Sequence, residues 1–113
     1  IRFEGSDVEL PGVLSRPMCM VIHELATNAV KHGSLSIEKG RVVVETEVLK
    51  GGDAVKLTWT ETDGPKVVSV QDPGTGTSLL EGLVDHEMNG TIVIEFSETG
   101  LVCQIEVPLT QVD

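Results

Sequence analysis

The chain has 113 residues, of which 40% are hydrophobic and 23% charged, with a formal net charge of −10. A single domain of this length buries roughly 65% of the surface its unfolded chain exposes, and with Phe3, Trp59 and Phe96 as the only aromatics its core must be built from Val, Leu, Ile and Met. The acidic balance excludes a nucleic-acid binder, which needs a basic footprint, and no apolar run approaches a membrane span.

With no secretion signal, a cytoplasmic location is expected, without direct membrane insertion. The chain starts at Ile1 and not Met, as expected of a piece of a longer protein. Cys19 and Cys103 stand alone in apolar contexts without metal-ligand spacing, so both are expected as buried thiols.

Residues Ile1 to Gly5 read as a short strand, and Val8 to Leu10 as a possible second. Pro11-Gly12 reads as a turn, and Ser15 with Pro17 as a helix start. The helix then runs from Met18 to Gly33. Met18, Val21, Ile22, Leu25 and Ala29 recur at helical spacing and form a core stripe. Glu24, Asn28, Lys31 and His32 share another face of the same helix. Gly33 is the stop, with Lys31 and His32 in the last turn, and Ser34 to Lys39 form a loop.

Four alternating strands follow in two hairpins. In Arg41 to Leu49, Val42, Val44, Thr46 and Val48 face one way. After the turn Lys50-Gly51-Gly52-Asp53, Val55, Leu57 and Trp59 do the same. Ile92, Ile94 and Phe96 form the apolar face of the third strand, and Leu101, Cys103, Ile105 and Val107 that of the fourth. Between the hairpins, Thr77 to Met88 reads as a second helix whose Leu79, Leu80, Leu83 and Val84 cover the sheet. Gly82 inside it suggests close packing. The fold class is therefore α+β: a two-layer α/β sandwich with a mostly antiparallel mixed sheet and both helices on one face.

Three patches carry chemistry. On the first helix, a carboxylate, an amide and an ammonium in a row suit a divalent cation with a polyphosphate, although a solvated helix face has the same pattern. By strand period Glu61 points toward the helix layer with Trp59. It either opens the turn at Asp63-Gly64-Pro65 or serves as an acceptor for an exocyclic amine. Gly74-Thr75-Gly76-Thr77-Ser78 runs into the second helix, where glycine amides and the helix dipole favour phosphate. No Lys follows these glycines, which excludes a Walker A loop. Thr27 occupies the place of the second zincin histidine, which excludes that metal site. His23 neighbours the core face and reads as structural, and His86 as a surface residue. No nucleophile–base pair emerges from spacing.

Taken together, these patches resemble one family. His23-Glu24-Leu25-Ala26-Thr27-Asn28-Ala29-Val30-Lys31-His32-Gly33 resembles the N box of the GHKL ATPases, the Bergerat fold. His23 with Trp59-Thr60-Glu61 is similar to the HWE subfamily of bacterial sensor histidine kinases. Gly64-Pro65 and Gly74 to Leu80 resemble its G1 and G2 boxes, and the chain's end its final strand. The likeness spans nearly the whole chain as one catalytic domain, residues 1–113.

The resemblance implies ATP and Mg²⁺ as cofactors and protein histidine kinase activity. It implies that Asn28 and Glu24 are the catalytic and metal-holding residues, and that Lys31 neutralises phosphate. His32 would stand beside the nucleoside, with Glu61 reading adenine and Asp63 sharing that task. Gly64, Gly74, Gly76, Thr77 and Ser78 would complete the ATP site. The implied partners are a phosphoacceptor helical domain of the same protein or a dimer mate, and a response regulator downstream. Departures are Asp63, where the family usually has Gly, and Thr75 and Ser78, where it has Phe and Arg. The alternatives with the same fold are an anti-sigma-factor-type serine kinase and a degenerate partner module of a histidine phosphotransferase that does not bind ATP.

Overall fold

The structure is a computed structural model that describes residues 2–5, 12–31, 35, 37–64, 80–97 and 100–109. The strand suggested at Val8 to Leu10 lies outside the described residues. Strand β1 (Arg2–Gly5) precedes helix α1 (Gly12–Lys31), then β2 (Arg41–Leu49), β3 (Ala54–Thr62), β4 (Thr91–Ser97) and β5 (Gly100–Pro108). The strands form one sheet in the order β1-β2-β3-β5-β4. β1 joins β2 in parallel, and every other pairing is antiparallel.

Helix α1 begins at Gly12, earlier than Ser15 and Pro17 suggest, and Pro17 lies inside it. Proline has no N–H, so one intrahelical bond is missing there. The apolar stripe explains why the helix extends back all the same. Leu14, four residues before Met18 and seven before Val21, is fully buried, and burying a leucine contributes about 1.5–3 kcal/mol. The Ser15 hydroxyl donates to the Gly12 carbonyl at 3.1 Å, which holds the first turn.

The β2–β3 hairpin closes through a tight turn at Lys50–Gly52. Gly51 and Gly52 have φ of 67° and 105° there, a left-handed backbone that residues with a Cβ resist. Across the sheet, register places Val44 opposite Trp59, and Trp59 opposite Cys103. Leu57 lies opposite Ile105, and Val55 opposite Val107. These residues join Leu14, Met18, Val21, Leu25 and Ala29 of α1 in a single buried cluster. Because alternate residues of each strand share one face, both helical layers lie on the same side of the sheet. The expected two-layer arrangement is the observed one.

The second helical element is described from Leu80, so Thr77 to Leu79 lie outside it. Its turn Leu83–Glu87 is π-helical and not α-helical. Leu80, Val84 and Met88 are all buried, so Met88 joins the cover along with Leu83. Asn89, with φ 52°, ends the element, and the Gly90 N–H donates to the Val84 carbonyl at 2.8 Å. Gly82 does not mark close packing: a Cβ built there meets nothing within 4 Å.

The core faces of β4 and of the hairpin end of β2 are less covered than their alternation suggests. Phe96 is 58% exposed and Val48 40%. β4 is an edge strand, and Val48 lies toward the hairpin end of β2, so both sit at the rim of the helical cover. Cys103 is buried as expected, but Cys19 is exposed, because it falls opposite the core stripe on α1.

Candidate functional site

Two elements position the described site residues. On α1, successive side chains rotate by about 100°, so Glu24, Asn28 and Lys31 align on the flank next to Val21, beside the core stripe. Glu24 and Asn28 are half-buried there, and Lys31 at the helix end is exposed. This is neither a fully solvated face nor a core face. Two oxygen-bearing side chains stand one turn apart at the border of the apolar layer, with an ammonium beyond them. His23 does not neighbour the core. It is exposed, on the side of α1 with Cys19 and Met20.

The second element is the end of β3. Glu61 is 3% exposed, the one buried charged side chain among the described residues. Trp59, fully buried on the same strand face, donates from Nε1 to Glu61 Oε2 at 3.0 Å. A buried carboxylate is costly unless it accepts hydrogen bonds, and the indole supplies one. Register sets Val42 and Leu101 on either side of Glu61. Glu61 thus combines a buried carboxylate between apolar strand neighbours with a place just before the chain leaves β3.

Immediately after β3, Asp63 is exposed with φ 56°, and Gly64 is buried. Asp63 therefore takes the left-handed backbone that glycine would take at no steric cost. His32, Gly74, Gly76, Thr77 and Ser78 lie outside the described residues. Among the described residues, no three His, Cys, Asp or Glu side chains gather as a metal cluster.

Two contributions were not read from the sequence. Cys103 sits opposite Trp59 and beside the acid. Burial foremost, and then the negative charge of Glu61, push its thiol up to about 12. Strand alternation with the hairpin register carries that information. Gly100 is the other: a Cβ built there would collide with the backbone carbonyl of Glu61, a contact that no local pattern signals.

Comparison with solved structures gives the fold its class. The histidine kinase domain of a blue-light-activated histidine kinase from Erythrobacter litoralis superposes with a TM-score of 0.77 at 20% identity, covering 96% of this chain and 50% of that one. Histidine kinase ThkA, in complex with the response regulator protein TrrA, gives 0.68 at 21% identity, covering 96% and 33%. The fold is that of a histidine kinase catalytic domain.

No protein-family model matches the sequence. Relatives do. A blue-light-activated histidine kinase of Rhizobium johnstonii is 30% identical over 106 residues, 94% of this chain and 31% of that protein. Blue-light-activated histidine kinase 1 of Erythrobacter litoralis is 37% identical over 114 residues, 98% and 31%. Nearly the whole chain is thus similar to bacterial blue-light-activated histidine kinases, and it spans about a third of the length of these relatives. No helix among the described residues is long and apolar enough to cross a membrane.

Proposed function

We propose that this domain binds Mg²⁺–ATP and supplies the γ-phosphate to a histidine on a separate phosphoacceptor helical domain, with a response regulator downstream. The observation that carries the reading is the buried Glu61 acceptor between apolar walls, in a domain whose first helix sets oxygen donors and an ammonium on one flank. Glu61 would accept from the exocyclic amine of adenine, with Val42 and Leu101 beside it. The carboxylate of Glu24 and the amide oxygen of Asn28 are hard donors that suit Mg²⁺, which keeps several ligands from water and phosphate. Lys31 would meet the polyphosphate charge, and Gly64, Gly74, Gly76, Thr77 and Ser78 would hold the nucleotide from the segment after β3. When bound, the cation supplies neutralisation of charge on the transferring phosphoryl group.

Phosphoryl transfer depends on positioning and electrostatic stabilisation around an in-line acceptor. His23 and His86 are both exposed, and the His86 imidazole lies 3.8 Å from the Asp85 carboxylate. Neither is assigned the acceptor role. The ThkA complex with a response regulator supports the downstream partner.

The test is titration calorimetry with Mg²⁺–ATP on the chain and on Asn28→Ala. Asn28→Ala removes one oxygen donor and leaves the core stripe of α1 intact. Micromolar to millimolar binding that weakens at least tenfold in the variant is expected, since a hydrogen bond or ligand to a charged partner is worth about 1.5–3 kcal/mol. Equal affinities in two folded proteins would remove Asn28 from the site.

A further inference from the structure

We infer that the outer edge of β4 is a self-pairing surface, on which a second copy of this chain docks its own β4 in antiparallel register about Ile94. β4 is the last strand of the sheet, and among the described residues no strand pairs with its outer side. Such an edge presents a row of N–H and C=O groups, which folded proteins usually guard with lysines, a proline, a bulge or a very short strand. β4 has none of these. It is seven residues long, carries Glu95 as its single charge, and pairs with β5 without interruption, from Thr91 opposite Glu106 to Ser97 opposite Gly100. The other edge differs: β1 has four residues, and Arg2 and Glu4 form an ion pair there at 3.0 Å.

The order of residues along β4 selects a second copy as the occupant. Pairing about Ile94 sets each Ile94 opposite the other, Ile92 of one copy opposite Phe96 of the other, and Val93 opposite Glu95. Every residue of the strand is then paired, apolar side chains meet on the core face, and no two carboxylates face each other. Centring on Glu95 would set the two carboxylates directly opposite, which is destabilising. Centring on Val93 would shorten the overlap and leave Phe96 beyond the end of the facing strand. In the favoured register the two-fold axis stands normal to the sheet, so the helical layers of both copies lie on one side. Phe96, 58% exposed at the rim of its own layer, gains its cover from Ile92 of the second copy.

The contact is narrow. Seven residues at about 3.4 Å each give a seam of roughly 24 Å, less than a standard interface offers. Each copy also carries a net charge of −10. The association is therefore weak and reversible, and salt strengthens it by screening that repulsion.

Sedimentation velocity on the whole chain without nucleotide, from about 10 µM to about 1 mM at low and high salt, tests the surface. A monomer–dimer equilibrium that tightens with salt is expected. Val93 is exposed on the open face of the sheet, away from the core, so its variants should fold. At about 0.15 M salt, Val93→Lys sets an ammonium opposite Glu95 twice per dimer and should tighten association roughly threefold to tenfold, whereas Val93→Glu should loosen it as much. A lysine on an edge ordinarily blocks pairing, so tightening is particular to this register. Combining Val93→Lys with Glu95→Lys should loosen the dimer relative to Val93→Lys alone, although the net charge falls further. A chain that stays monomeric throughout overturns the self-pairing surface. A dimer unmoved or weakened by Val93→Lys overturns it as well, because its contact then lies elsewhere or in another register.

Discussion

Two glycines offer a matched test of the packing argument, because the same substitution should act in opposite directions. Gly82 has φ −63° and ψ −44°, and a Cβ built on it meets nothing within 4 Å. Gly82→Ala should therefore stabilise by about 0.5–1 kcal/mol through the unfolded chain alone. At Gly100 a Cβ would overlap the Glu61 carbonyl. That neighbour is backbone at the paired end of β3, held on both sides by β2 and β5, so it cannot swing aside as a side chain would, and the strands must part there. Overpacking of this kind costs about 1–3 kcal/mol, at the upper end when the obstacle is backbone. Unfolding entropy of about 2.1 cal/mol/K per residue gives roughly 0.24 kcal/mol/K for a chain of 113 residues. Each kcal/mol then moves Tm by about 4 °C. Scanning calorimetry should show Gly82→Ala melting about 2–4 °C higher and Gly100→Ala about 8–12 °C lower. Because the parted strands carry Glu61, Gly100→Ala should also weaken Mg²⁺–ATP binding, which Gly82→Ala leaves unchanged. A Gly100→Ala protein that melts within 2 °C of wild type would falsify the close approach.

Asp63→Gly should stabilise by up to about 1 kcal/mol, read as a rise in urea midpoint at constant m-value, since the left-handed backbone then carries no Cβ; a lower midpoint would mean that the Asp63 side chain contributes more than its strain costs. Cys103 gives a pH dependence. Its folded thiol holds its proton up to about 12 against an ordinary value of 9.0, so above 9 the unfolded chain binds fewer protons. Stability relative to Cys103→Ala should therefore be flat below pH 9 and fall above it, at up to about 1.4 kcal/mol per pH unit. At pH 8 a disulfide reagent should modify the exposed Cys19 and spare Cys103 until the protein unfolds. Incubation with labelled ATP and Mg²⁺ should put no stoichiometric label on the chain's own histidines, and addition of the parent protein's phosphoacceptor domain should yield acid-labile phosphohistidine there. Label retained on His23 or His86 would place the acceptor inside this domain.

The sheet was legible because period-two alternation has few solutions in strands that bury one face. Arg41–Leu49 is bounded as its alternation implies, and the inward aim of Glu61 follows from Trp59 by that period alone. Polar residues at helical spacing identified the α1 flank as well. What failed was information that is not local. Pro17 signalled a start that the burial of Leu14 overrode, and the exposure of Phe96 depends on which strand lies at the edge. His23 and Cys19 were misplaced because position next to an apolar residue in sequence means the opposite side of a helix as often as the same side. The clash that reserves Gly100 for glycine involves Glu61 across a strand pairing, which no window of sequence contains.

The β3–β5 pairing joins segments distant in sequence, whereas β2 and β3, and β4 and β5, pair with their neighbours in the chain. Local hairpins close quickly, but distant strands meet only after a larger loss of chain entropy. Trp59 and Glu61 come from the first hairpin, and Leu101 and Cys103 from the second. The Leu101 wall beside the buried acid therefore exists only once the two halves of the chain have docked. A late, concerted step in folding should build the core seam and the acceptor site together. A ligand that grips Glu61 then acts as a clasp on the β3–β5 seam, where two otherwise local hairpins are joined.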